Sequence, residues 1–171
     1  LASLAKKPYL FAATHGHLDH MGGAYAFDKV YASQRAYHLF SGYQDAHRIT
    51  YIKELPDISG GYATNLTTDF LTPSDHIPSL VPVVSGDIID LGGRTITVFE
   101  TPCHTKGCVS FFDSQTGFLF SGDAIMSRLL FANDRDDKME RLNLWYRSTK
   151  AVLEHGPEIK SIYTGHFGKI V

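Results

Sequence analysis

The run Tyr9-Leu10-Phe11-Ala12-Ala13 is unbroken and apolar, the pattern of a short buried strand. After Gly22-Gly23, residues 24–28 are a short helical candidate, and Lys29-Val30-Tyr31-Ala32 is a short strand. Ser33 is placed to cap a helix over 34–40, which Gly42 would end. From Gly42 to about Ser85 the periodicity dissolves among Pro56, Gly60-Gly61, Pro73, Pro78 and several tyrosines. A stretch of that length predicts an irregular insertion at about 42–85 that acts as a lid, a subdomain or a partner surface, including a contact between copies of the chain. Regular pattern returns at 87–91 and 94–100. These runs flank Gly92-Gly93 as a hairpin, with Ile96 and Val98 on one side. Residues 109–113 and 118–120 flank the turn 114–117 as a second hairpin. Residues 132–141 are strongly charged and read as a solvated loop or helix start. Leu142, Trp145, Thr149 and Val152/Leu153 then follow helical spacing, stopped by Gly156-Pro157. A last strand at 159–163 leads into Thr164-Gly165-His166. Strands and helices interleaved in this way predict a layered α/β sandwich.

Composition narrows the class. The chain has 171 residues, 43% hydrophobic and 20% charged, enough for one domain with a substantial core. A net charge of −2 offers no electrostatic footprint for nucleic acid or an anionic membrane. No apolar run approaches the ~20 residues that span a bilayer. Residues 1–7 lack the basic-then-apolar order of a signal peptide. Cys103 and Cys108 do not make a disulfide framework, and a reducing, cytoplasmic setting is expected.

The chemistry concentrates in Thr14-His15-Gly16-His17-Leu18-Asp19-His20. If the strand geometry of 9–13 continues, His15, His17 and Asp19 share a face, since alternate side chains of a strand do. His20 follows where Met21-Gly22-Gly23 must break the strand. Burying so many polar groups without compensation is costly, and three imidazoles beside a carboxylate suit a divalent metal. Three further candidates sit among turn residues after apolar strands: His104 in Thr101-Pro102-Cys103-His104-Thr105, Asp123 after Gly122, and His166 after Gly165. Strand ends are where side chains of different strands converge. Together the candidates suffice for two metals. His47 and His76 lack metal-like neighbours and read as surface or loop histidines.

These motifs resemble the metallo-β-lactamase superfamily of metal-dependent hydrolases. The family's His-x-His-x-Asp-His signature is matched by residues 15–20, its Thr-Pro-Gly-His-Thr element by 101–105, its Gly-Asp strand end by Gly122-Asp123 and its last Gly-His by Gly165-His166. The resemblance implies an αββα four-layer sandwich. The family's N-terminal strands of the first sheet and its final helix have no counterpart, so the domain over 1–171 is expected to be trimmed at both ends, or completed by another chain. An exposed edge on the first sheet follows. By resemblance, His15, His17 and His104 hold one metal, and Asp19, His20 and His166 the other, with Asp123 bridging. Zinc is the metal the resemblance favours, and the donor set also accommodates iron or manganese. Two such ions activate a shared hydroxide at neutral pH, and Asp19 has a second task in orienting it and moving a proton.

The implied activity is hydrolysis of an ester-like bond, a thioester or lactone for instance, in a small molecule. The alternative is a non-catalytic member that keeps the metal for binding or assembly. Asp123 stands where the zinc β-lactamases proper carry a cysteine, and His17 where the flavodiiron branch carries glutamate. Residues 124–131 do not match the glycine-rich stretch of glyoxalase II, and Met126 stands where homoserine lactonases of this fold have tyrosine. The nuclease branch needs a basic surface. Arg128 and Phe131 either line the pocket or pack within the loop. Cys103 replaces the family's usual glycine and is either a weak extra ligand and oxidation site or a buried, inert thiol.

Overall fold

In the computed structural model, which describes residues 8–58, 67–71, 73, 75–127, 138–155, 159–166 and 168–170, the strands form two sheets. The first is parallel, in the order β1 (Phe11–Ala12), β2 (Lys29–Ala32), β3 (Ser79–Pro82). The second runs in chain order through β4 (Ile88–Asp90), β5 (Thr95–Glu100), β6 (Val109–Asp113), β7 (Phe118–Gly122), β8 (Ser161–Thr164) and β9 (Lys169–Ile170). Its pairs are antiparallel except β7 beside β8. Between β4 and β5, Gly92 and Gly93 take φ of +78° and +92°, the left-handed values that a tight hairpin connection demands. The helices are α1 (Leu18–Met21), α2 (Gln34–Ser41), α3 (Asp45–Ile58) and α4 (Lys138–His155).

Three apolar clusters hold these layers together. Ser33 Oγ accepts the Ala36 amide at 3.1 Å and caps α2. The α2 residues Ala36 and Phe40, four apart, then turn onto Val30 and Ala32 of the first sheet, beside Ala13, Met21 and Tyr25. Full burial of a side chain such as Phe40 contributes about 1.5–3 kcal/mol. Between the sheets lie Val83, Ile89, Val98, Val109 and Phe111, with Tyr31 and Ile96 against them. Beyond the second sheet, Phe112 and Leu119 pack with Val152 of α4. Phe111 and Phe112 therefore face opposite clusters, as the alternation of a doubly covered strand requires. Helix, sheet, sheet and helix stack as the αββα sandwich expected from the sequence. Among the described residues, no helix is long and apolar enough to cross a membrane.

Several expectations need correction. The strand foreseen over 9–13 is only Phe11–Ala12. Tyr9 and Leu10 are 50% and 38% exposed, and among the described residues β1 has a strand neighbour, β2, on one side. The segment 42–85 is not wholly irregular: it supplies the fourteen-residue α3 and the strand β3, which pairs with β2. α3 escaped detection because, among its described side chains, the buried anchor is Arg48 instead of an apolar stripe. That guanidinium is 4% exposed, lies 4.3 Å over the Tyr25 ring and donates to the Gly22 carbonyl and Asp45. In α4 the inward face is Arg141, Trp145 and Val152, whereas Leu142 and Leu153 are 37% and 57% exposed. The stretch 132–141 is thus not simply solvated at its end, since Arg141 is buried. Arg128, Phe131, Gly60-Gly61, Gly156-Pro157 and residues 1–7 lie outside the described residues.

Candidate metal centre

The strands deliver their ends to one edge of the sandwich. After β1 the chain does not stay extended, contrary to the expectation for 15–19. It bends at 14–17 and enters the single turn α1, whose Met21 amide bonds the His17 carbonyl at 2.9 Å. Gly16 allows the bend to press against α2, because a Cβ there would stand 2.3 Å from the Ala36 carbonyl oxygen. Asp19 and His20 reach the site from a helical turn, not from a strand face. The Val109 amide donates to the Thr14 carbonyl at 2.8 Å and ties this bend to the start of β6. The loop after β5 closes through Thr101 N to Cys108 O at 2.9 Å and carries His104. Asp123 follows β7 and His166 follows β8. These parallel neighbours stay linked beyond their ends by Gly165 N to Gly122 O at 2.9 Å.

The seven side chains meet. His17 Nδ1 lies 3.2 Å from His15 Nε2 and 3.0 Å from His104 Nε2. Nitrogens around a tetrahedral zinc, each at about 2.0–2.1 Å from it, stand roughly 3.3–3.4 Å apart, so this group is close to coordination spacing. Asp19, His20 and His166 form a second group, with His166 Nε2 3.1 Å and His20 Nε2 3.5 Å from Asp19 Oδ2. Asp123 touches both: Oδ2 is 3.4 Å from His104 Nε2 and 3.5 Å from His166 Nε2, and Oδ1 is 3.4 Å from His20 Nε2. His20 Nε2 and Asp123 Oδ1 are buried without a hydrogen-bond partner. Buried polar atoms are ordinarily paired, and an imidazole nitrogen facing a carboxylate oxygen in that state is satisfied by a divalent cation. The donor set therefore fits a metal.

Burial, reinforced by the neighbouring imidazoles, pushes the His15 imidazole down to about 2, and burial followed by His104 lowers His17. Both are neutral at pH 7, with lone pairs free for a cation. Burial works to raise the Asp19 carboxyl, but the adjacent His20 imidazole, 3.5 Å away, and then His166 hold it well below the usual carboxylate range. Exposure is graded across the site. The His15 and Asp123 side chains are 0% and 4% exposed, whereas Asp19 and His166 are 28% and 41% exposed, so solvent reaches the site past Asp19 and His166. Tyr51 of α3, in the segment read from sequence as irregular, is raised by burial and then by the charges of Asp19 and Asp123. Cys103 belongs to none of the donor groups among the described residues. Burial, then Cys108, pushes its thiol up to about 12 against the opposing Arg141. It reads as the inert thiol.

The family model for the metallo-beta-lactamase superfamily matches residues 11–166. The chain belongs to that superfamily. Among curated members of the superfamily, it is 30% identical over 121 residues to human acyl-coenzyme A thioesterase MBLAC2, covering 71% of this chain and 43% of that protein. It is 30% identical over 114 residues to hydroxyacylglutathione hydrolase of Rhodobacter capsulatus, covering 67% of this chain and 32% of that one. The chain thus spans less than half of either relative. Among solved metallo-beta-lactamase structures, TTHA1623 in a di-iron-bound form superposes with a TM-score of 0.61 at 23% identity, covering 96% of this chain and 73% of that one. That likeness establishes the fold.

Two residues missed by sequence reasoning stand beside the site. Arg141 and Trp145 of α4 donate to carbonyls of the His104 and Asp123 loops. A charged stretch and a helical apolar spacing gave no hint of it.

Proposed function

We propose that this chain is the metal-bearing part of a hydrolase that cleaves a thioester, or a related ester-like bond, in a small molecule, with two divalent ions and zinc as the first choice. The observation that carries the proposal is the meeting of two three-donor groups at Asp123, with His20 Nε2 and Asp123 Oδ1 left without hydrogen bonds. In this proposal His15, His17 and His104 hold one ion and Asp19, His20 and His166 the other, with Asp123 shared. Such ions, when bound, polarise an acyl oxygen and acidify water to a nucleophile at neutral pH. The thioester assignment is supported by the two relatives, which are named for acyl-coenzyme A and for hydroxyacylglutathione, both thioesters.

The chain's own groups divide the remaining work. His15 and His17 stay neutral and present lone pairs. Asp123, nearly sealed from water, keeps its carboxylate between the two groups. Asp19 is ionised and lies on the open side. From there it can accept a proton from incoming water and return it to the departing thiolate.

The test is elemental analysis of protein purified without added metal or chelator, followed by a free-thiol assay on acyl-coenzyme A and acylglutathione. About two ions per chain and thiol release are expected, both lost in Asp123→Ala. An Asp123→Ala variant that kept two ions and full turnover would refute the site assignment. A wild-type chain with two ions and no turnover would favour a binding role.

A further inference from the structure

α4 does more than cover the second sheet. Its residues Arg141 and Trp145 are one turn apart and share a face, and Val152 further along fixes the helix against Phe112 and Leu119. Arg141 is 4% exposed. Its Nε and one terminal nitrogen donate to the Cys103 carbonyl at 3.2 and 2.7 Å, and the same terminal nitrogen reaches the His104 carbonyl at 2.5 Å. The Trp145 indole Nε1 donates to the Ala124 carbonyl at 2.9 Å. One helix face thus grips the peptides on both sides of His104 and the peptide after Ala124, one residue beyond Asp123.

We infer that Arg141 and Trp145 are positioning residues that set the spacing of His104 and Asp123 for the metals. The inference rests on the metal-binding reading above. A donor's distance from a cation is set by its backbone as well as its rotamer, and each of these two donors hangs from a loop. The guanidinium is planar and rigid, so Nε and one terminal nitrogen converge on the Cys103 carbonyl while that terminal nitrogen also meets the His104 carbonyl, a fixed arrangement that a flexible ammonium does not impose. Trp145 holds the loop that carries Asp123, through the Ala124 carbonyl. Outer groups of this kind typically change metal affinity by about 10–100-fold when removed.

The experiment measures zinc affinity of each site by chelator competition, and the visible spectrum of the cobalt-loaded chain, in wild type, Arg141→Met, Trp145→Phe and the control Arg147→Met on the exposed side of the same helix. Arg141→Met is expected to weaken one ion by about 10–100-fold and to alter the cobalt bands, with the second ion little changed. Trp145→Phe is expected to weaken both ions, because Asp123 serves both. The control is expected to match wild type. A merely structural role would lower the melting temperature of the metal-free chain and leave the spectrum and the affinities of the folded fraction unchanged, and that result would overturn the inference. If Arg141→Met does not fold, Arg141→Lys keeps the charge and stem but lacks the fork; two ions at wild-type affinity in that variant would equally overturn it. A wild-type chain that bound no ion would instead defeat the metal reading itself.

Discussion

Gly165 gives the sharpest test of how the site is built. A Cβ at this position would stand 2.2 Å from Asp123 Oδ1 and 2.5 Å from His20 Cε1. Real Cβ atoms essentially never approach closer than 3.0 Å, and carbon pairs rest at about 3.5–4.0 Å. Asp123 and His20 would both have to retreat, His20 by about 1 Å on that scale. Neither has room. The Asp123 side chain is 4% exposed among His20, His104 and His166, and that of His20 is 13% exposed. Gly165 cannot retreat instead, because its amide is bonded to the Gly122 carbonyl. It is not among the glycines with positive φ, so alanine adds a clash and no backbone strain. Overpacking of this kind costs about 1–3 kcal/mol of stability, and a 1 Å misplacement of reacting groups costs on the order of a hundredfold in rate. Gly165→Ala is therefore expected to fold, to lose at least about tenfold in affinity for both ions, and to lose about a hundredfold in thioester turnover. Metal content after dialysis, chelator competition and the free-thiol assay measure these. Gly23→Ala is the control, as its Cβ would meet nothing within 4 Å. Wild-type affinity for two ions in Gly165→Ala would show that Asp123 and His20 are not held against Gly165, and the reasoning would fail.

Two other predictions concern groups outside the donor set. Burial works to raise the Asp113 carboxyl, but Arg94, Thr116 and the Gln115 amide hold it below its ordinary 3.8. A carboxyl depressed in the folded state adds stability above its unfolded pKa, and that stability disappears as pH falls through the folded value. Urea midpoints of wild type and Asp113→Asn should thus differ most above pH 3.8 and converge in more acidic buffer; a gap that widened on acidification would contradict the assignment. For Cys103, iodoacetamide at pH 8 should label the folded chain at least about tenfold more slowly than the urea-unfolded chain, measured by mass spectrometry; equal rates would mean that the thiol is neither buried nor raised.

Much of this fold is legible in local pattern because its signals are local. The Gly92-Gly93 hairpin and the Ser33 cap and Gly42 stop of α2 each depend on neighbours within a few positions, and each has its expected form. α3 was not legible, since among its described side chains the buried anchor is an arginine whose value lies in Tyr25 and the Gly22 carbonyl, both distant in sequence. The buried face of α4 was misjudged by about one residue for a similar reason. Arg141 is written as a surface residue by its charge, and only the carbonyls of Cys103 and His104 make its burial affordable.

The candidate donors could all be named from the sequence, because a metal needs particular side-chain chemistry and turn residues mark the strand ends that present it. Their arrangement could not. The expected alternating face for His15, His17 and Asp19 is replaced by a bend and a helical turn, pressed into place by Gly16 against Ala36. Residue type and spacing along the chain thus determined which atoms are available and where chain segments end. The pairing of β7 with β8, the tie from Thr14 to Val109 and the grip of α4 on two loops decided which atoms lie within 3–4 Å of one another. Coordination depends on that last distance, and contacts between residues far apart in the chain set it.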